Sequence, residues 1–150
     1  MDFGTISIDD FVQLEKIGEG SYAQVYKIKK KDTGNIYAAK ILNIQNLSQT
    51  SPDFRSLINE INIMSKLDHP GVIKLYGFTP YDFKKIKHPM IITEYLSNKT
   101  LNNLLELERS FLSKQFWDST KKLINIFGIA AALSYLHKND IIHCDLKPDN

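Results

Sequence analysis

Apolar and polar residues interleave through "FVQLEKIGEGSYAQVYKIKKKDTGNIYAAKIL", from Phe11 to Leu42, in three extended runs parted by two turns. The runs are rich in aromatic and β-branched residues, which predicts strands. The second turn, "KDTGN", carries the Asp and Gly of a hairpin. The period then changes. In "SPDFRSLINEINIMSKL" the apolar positions Phe54, Leu57, Ile58, Ile61, Met64 and Leu67 recur at helical spacing. Ser51 is placed as the cap of that helix, Pro52 as its first residue and Asp53 in its first turn. "HPGVIKLYGF" and "HPMIITEYL" read as two more strands, joined by the basic loop "TPYDFKKIKH". "SNKTLNNLLELE" predicts a short helix and Trp117 to Lys138 a longer one. The pattern is that of an α+β fold: five strands, one helix inserted after the third, and further helices behind. The long helix is apolar on nearly every side through "LINIFGIAAALSYL", so it is expected to be enclosed.

Composition narrows the function classes. With 150 residues, 43% of them hydrophobic, the chain is long enough for one ordinary globular domain. A net charge of +2 argues for neither a nucleic-acid nor a membrane partner, and the basic clusters "KIKKKD" and "KKIKH" read as solvated hairpin ends. One cysteine forms no internal disulfide, which fits a reducing compartment. The opening "MDFGTISIDDF" has no basic, apolar leader, and Asp2 stands where a myristoylation signal needs Gly. The longest apolar stretch falls short of the ~20 residues of a membrane span. A cytosolic or nuclear protein is expected.

Candidate chemistry begins at the first turn. "GEGSYA" matches G-x-G-x-x-A, but a strand-like "YAQVYKIK" follows it instead of the helix a dinucleotide fold requires, and no Gly-Lys-Ser/Thr of a Walker loop is present. Gly18 and Gly20 therefore fit either a plain hairpin turn or a flap over a ligand. In "NIYAAKIL" the two-residue period puts Ile36, Ala38, Lys40 and Leu42 on one face. A lysine on an apolar face either snorkels to water along the sheet or is held beneath the flap, with Ala38 leaving room for a flat ligand. Glu60 lies beside the apolar stripe of its helix, and its neighbours three and four positions away (Leu57, Ile63, Ser56 and Met64) include no cation. Either Glu60 sits at a solvated margin, or it takes a cation from elsewhere, for which Lys40 is the best placed.

The order of these motifs resembles the eukaryotic protein kinase family from Phe11 to the end of the chain. "IGEGSYAQV" is similar to its glycine loop, "YAAK" to its strand lysine motif and the glutamate in "NEI" to its helix glutamate. "HPGVIKLYG", the "ITEYL" hinge and the catalytic loop "IIHCDLKPDN" follow in the family's order. The resemblance implies an N-lobe of a five-stranded antiparallel sheet plus one helix, then the first helices of a C-lobe. The expected boundaries are a leader at 1–10, the N-lobe and hinge at 11–96 and the start of the C-lobe at 97–150.

By resemblance, the chain is an ATP-binding enzyme that transfers the γ-phosphate to a protein Ser or Thr hydroxyl, with Mg2+ as metal. Gly18, Glu19, Gly20, Ser21, Tyr22 and Ala23 would cover the phosphates, with Ala23 in place of the loop's third glycine. Ile17, Val25 and Ala38 would roof the adenine, with a small Thr93 at the back of the pocket. Glu94 and Leu96 would meet the adenine edge through their backbone. Lys40, held by Glu60, would bind α- and β-phosphate oxygens. Asp145 would orient or deprotonate the substrate hydroxyl, Lys147 would neutralise γ-phosphate charge, and Asn150 would hold the magnesium ion. Lys147 in "DLKPDN" resembles serine/threonine kinases, and the hinge with "GIAAALSYLH" resembles the tyrosine-kinase-like branch. His143 is assigned to packing. Cys144 stands where most relatives carry an Arg that receives an activation-loop phosphate, a bidentate contact cysteine cannot make. A Cys–His hydrolase is the rival reading of "HC", although such pairs meet in space and not as sequence neighbours.

The family's fold continues beyond its catalytic loop with a D-F-G segment, an activation loop and a substrate platform, and none of these follows Asn150 in this sequence. Losing ~7 kcal/mol of positioning slows transfer roughly 10⁵-fold. The chain alone is therefore expected to be nearly inactive, and without the family's further helices several large side chains of the long helix are expected to face water. A fragment serving as a protein-binding module is the alternative.

Overall fold

The computed structural model describes residues 6–20, 23–44, 51–110 and 117–149. In chain order they form strands β1 (Phe11–Glu19), β2 (Ala23–Lys30) and β3 (Ile36–Leu42), helix α1 (Pro52–Met64), strands β4 (Leu75–Thr79) and β5 (Met90–Glu94), and helices α2 (Leu101–Arg109) and α3 (Ser119–Lys138). The strands form one five-stranded antiparallel sheet in the order β1-β2-β3-β5-β4. The α+β expectation is met, with the helix inserted after the third strand.

Local chemistry accounts for the boundaries. The Ser51 hydroxyl accepts the Phe54 N–H at 3.2 Å, with Pro52 as the first helical residue of α1. Thr100 and Asn103 close a reciprocal capping box on α2: Thr100 Oγ1 accepts the Asn103 N–H, and Asn103 Oδ1 accepts the Thr100 N–H. Asp118 caps α3, so the long helix begins just after Trp117, and that indole is buried ahead of it. At the other end the Asp140 N–H reaches His137 O and the Ile141 N–H reaches Leu136 O, with Asp140 at φ 59°. This is a Schellman closure with an aspartate in the left-handed position usually given to glycine. Gly34, at φ +73°, makes the β2–β3 turn where its position demands a left-handed residue.

The chain divides into two units, one holding the chain up to Asp68 together with Ile73–Tyr95, the other holding His69–Val72 and the chain from Leu96 onward. In the first unit the sheet has a core on each face. On one side Leu42 and Ile91 pack with Leu57 and Ile61 of α1; the other positions of the predicted apolar stripe described here are only partly buried. On the other side Phe11, Ile28, Ala39, Met90 and Ile92 pack with Ile8, from the single 3₁₀ turn Ile8–Asp10 that precedes β1. Phe83 of the β4–β5 connection packs against the same cluster. That connection is more than a solvated basic loop. The buried Asp82 accepts the N–H groups of Lys84 and Ile86 and meets His88 Nδ1 at 2.9 Å, while Lys85 pairs with Asp9.

In the second unit His69 stacks on Tyr135 of α3 at 4.9 Å between ring centroids. A Cβ added to Gly71 would come within 3.0 Å of the Ala132 Cβ, so glycine lets this segment lie close against the helix. Ala132 and Leu136 are buried, but Leu123, Ile124, Ile126 and Phe127 are exposed, Phe127 at 73%. Among the described residues α3 is therefore not enclosed: Ala132 and Leu136 are covered and Ala131 and Leu133 half-buried, while several large side chains face water, as expected for this helix without others wrapped around it. No helix among the described residues is long and apolar enough to cross a membrane.

Candidate active site

The sheet register gathers most of the expected nucleotide-facing positions. Gly18 pairs with Val25, Val25 with Lys40 and Lys40 with Ile91, one row across β1, β2, β3 and β5. Ala38 pairs with Thr93 in the adjacent row on the same face. Val25, Ala38, Lys40 and Thr93 are all half-buried, and Ile17 is exposed. The β1 ladder is irregular between Lys16 and Gly18, which fits glycine at a bulge. Gly20 donates its N–H to Ala23 O at 2.9 Å, closing the turn. A Cβ on Gly18 or Gly20 would make only ordinary contacts with the chain. The protein's own packing does not demand glycine at either place. Ser21, Tyr22 and Asn150 lie outside the described residues.

Lys40 Nζ meets Glu60 Oε1 at 2.9 Å. Leu42 and Ile91 face α1, so the period of β3 aims Lys40 toward the same helix, where Glu60 stands next to the buried Ile61. Of the two readings of Glu60, the one in which Lys40 is its cation is observed. Both side chains remain 41% exposed. An ion pair in that setting contributes roughly 0–1 kcal/mol. Its main effect is positional: it holds an ammonium in one place beside the glycine turn.

At the end of β5, Glu94 is exposed, and its backbone N–H donates to Lys74 O at 3.0 Å. Its carboxylate also accepts the Lys74 N–H at 2.7 Å. This side-chain contact was not legible in the sequence, where Glu94 was expected to act through its backbone. Leu96, also exposed, is where the chain re-enters the second unit.

The terminal loop is held from two places. The Asn102 N–H, in the first turn of α2, donates to Pro148 O at 2.9 Å. The Asp145 N–H donates to His143 O at 2.9 Å and, more weakly, to His143 Nδ1 at 3.4 Å, with Cys144 at φ 61° between them. His143 is exposed, so it orders the Asp145 backbone here and does not pack into a core. Lys147 Nζ lies 2.9 Å from Asp145 Oδ2. The Cys144 thiol is exposed and donates to Ile142 O, and no Cys–His couple forms with it. The described residues contain no cluster of three or more His, Cys, Asp or Glu that could hold a metal.

A lysine on a strand, fixed by a helix carboxylate beside a strand–glycine–strand turn, is the arrangement of a phosphoryl-transfer domain of protein kinase type. Residues 11–150 match the family described as protein kinase domain, and the chain belongs to that family. It is 33% identical to an Aurora kinase of Saccharomyces cerevisiae over 99% of this chain and 37% of that protein. It is 33% identical to the serine/threonine-protein kinase TIO of Arabidopsis thaliana over 97% of this chain and 10% of the relative. With the serine/threonine-protein kinase ULK3 of Xenopus laevis it shares 31% identity over 95% of this chain and 28% of the relative. The chain thus spans between 10% and 37% of the length of these relatives. The family as a whole uses ATP and a divalent metal to phosphorylate protein substrates.

Proposed function

We propose that the chain binds ATP on the Gly18–Val25–Lys40 face of its sheet and carries the serine/threonine kinase residues for transfer of the γ-phosphate to a protein hydroxyl. The 2.9 Å Lys40–Glu60 pair carries this reading, because a fixed ammonium beside a turn with unhindered glycines suits phosphate oxygens. Lys40 would contact the α- and β-phosphates, and the glycine loop from Gly18 to Ala23 would cover them. Ile17, Val25 and Ala38 would face the base, with Thr93 behind it and the backbone of Glu94 and Leu96 at its edge. Asp145 would orient the acceptor hydroxyl or take its proton, and Lys147, already beside Asp145, would offset charge on the phosphoryl group. ATP would supply that group, and a bound Mg2+ would neutralise its charge. Asn150 would be the protein's contribution to the ion.

Nucleotide binding and turnover separate in this reading. Mg2+ keeps several waters and takes one or two protein oxygens besides the phosphates, a place for which Asn150 is the candidate here. Phosphotransfer by the 150 residues alone is expected to be slow even where ATP binds. Thermal unfolding with and without Mg-ATP tests the binding, with Lys40→Ala as control. A rise in Tm lost in Lys40→Ala supports the reading, and a Tm that ignores nucleotide overturns it.

One observation favours a second reading, a protein-binding module. Leu123, Ile124, Ile126 and Phe127 form an apolar surface on α3 of the kind that marks interaction sites. A chain without a nucleotide response would point there.

A further inference from the structure

We propose that the Glu94 carboxylate is a positioning residue for the nucleotide, tying the end of β5 to the segment entering β4 and so setting the backbone expected to meet the adenine edge. The proposal rests on the ATP reading above.

The regular β4–β5 ladder reaches Leu75 and Thr93 and is already irregular between Leu75 and Gly77. One residue further out, the Glu94 N–H still finds Lys74 O at 3.0 Å. The Lys74 N–H would need a carbonyl in return, and the Glu94 side chain supplies an oxygen instead, at 2.7 Å. One residue thus gives the same partner both a main-chain donor and a side-chain acceptor. The second bond is charge-assisted and at the short end for N–H to carboxylate, so its geometry is stiffer than that of a neutral ladder bond.

The location matters more than the strength. The chain leaves the first unit after Asp68, returns at Ile73 and leaves again after Tyr95. Lys74 follows the return by one residue and Glu94 precedes the last exit by one. The carboxylate contact therefore adds a second bond between two points already joined by the Glu94 N–H to Lys74 O bond, at a residue that also pairs with Tyr37 of β3. A ligand that reads the backbone of Glu94 and Leu96 binds more weakly if it must first order that backbone. Glu94 does this ordering before the ligand arrives.

Glutamine keeps the accepting oxygen at the same reach and leucine removes it, so the pair of substitutions isolates the contact. In the whole chain, Glu94→Leu is expected to weaken binding of a non-hydrolysable ATP analogue about tenfold, the size of one lost hydrogen bond to a charged group. Glu94→Gln should stay within about twofold. Amide exchange at Lys74, followed by NMR, should be slow in the wild type and in Glu94→Gln and fast in Glu94→Leu. Because coupling is reciprocal, saturating analogue should slow Lys74 exchange further in the wild type. If the wild type binds in a Lys40-dependent way and Glu94→Leu binds equally well, the positioning role is overturned while the ATP reading stands. If the wild type does not bind, or Lys40→Ala binds as tightly, the ATP reading fails and the proposal goes with it. Should Glu94→Leu not fold, the wild-type exchange decides: no slowing by the analogue overturns the proposal.

Discussion

Lys40 and Glu60, twenty residues apart in sequence, meet at 2.9 Å while each keeps about two-fifths of its side chain in water. Such a pair adds little to stability and much to the placement of the ammonium. Glu60→Gln should lower the unfolding free energy by no more than ~1 kcal/mol. The same change should weaken Mg-ATP binding about tenfold, a shift of ~1.4 kcal/mol. Calorimetric titration and urea unfolding of the same samples check both halves, and a variant that loses stability without losing affinity contradicts the placement argument.

Gly71 and Gly128 should respond in opposite directions to alanine. A Cβ at Gly71 would press on the Ala132 Cβ at 3.0 Å and on the His69 ring at 3.3 Å. Overpacking of that kind costs about 1–3 kcal/mol. Nothing lies within 4 Å of a Cβ at Gly128, inside α3, so there the helix gains roughly 0.5–1 kcal/mol. Thermal melts of the two variants should move down and up respectively.

Asp82 gives the β4–β5 connection an acid limit. Burial alone would raise its carboxyl pKa, but hydrogen bonds from the His88 ring and from the Ile86 and Lys84 N–H groups hold it below the ordinary aspartate value of 3.8. A carboxyl lowered on folding stabilises the protein at every pH above its unfolded pKa and loses that contribution as pH falls through the folded one. Asp82→Asn should therefore cost about 1–2 kcal/mol near neutral pH, with the gap to wild type closing only below about pH 4. Urea unfolding from pH 3 to 7 reads the gap directly, and a gap that is constant across the range contradicts the assignment.

Phe127, at 73% exposure, should tolerate a charge. Phe127→Lys is expected to change stability by less than about 0.5 kcal/mol. It should also reduce concentration-dependent association in sedimentation velocity. A variant that unfolds would mean that the native chain buries this side of α3.

What the sequence made legible followed from period and capping. The two-residue alternation of β3 and the helical stripe beside Glu60 each pointed to one face, and those faces meet. Ser51 and Pro52 marked the start of α1 because their chemistry is local. The less legible features depend on contacts with no repeating signature. Ile8 belongs to the core through a 3₁₀ turn outside any strand pattern. The "TPYDFKKIKH" loop looked solvated because its lysines dominate the composition, while Asp82 and the N–H groups two and four residues on formed the one clue to an Asp-organised turn. The Glu94–Lys74 tie was invisible because it pairs a side chain with a backbone group twenty residues away. The bare side of α3 has a different cause: apolar character says what a helix prefers to touch, and the partner must be present for the preference to be met.

The strand order has a mechanical corollary. β3 is bonded along both margins, to β2 and to β5, whereas α1 rests on the sheet through one apolar stripe. Lys40 is thus mounted on an interior strand, as β2 and β5 also are, and Glu60 on a helix held along one side. A rearrangement that parted them is expected to move the carboxylate more than the ammonium, which would make the helix the moving part of this latch.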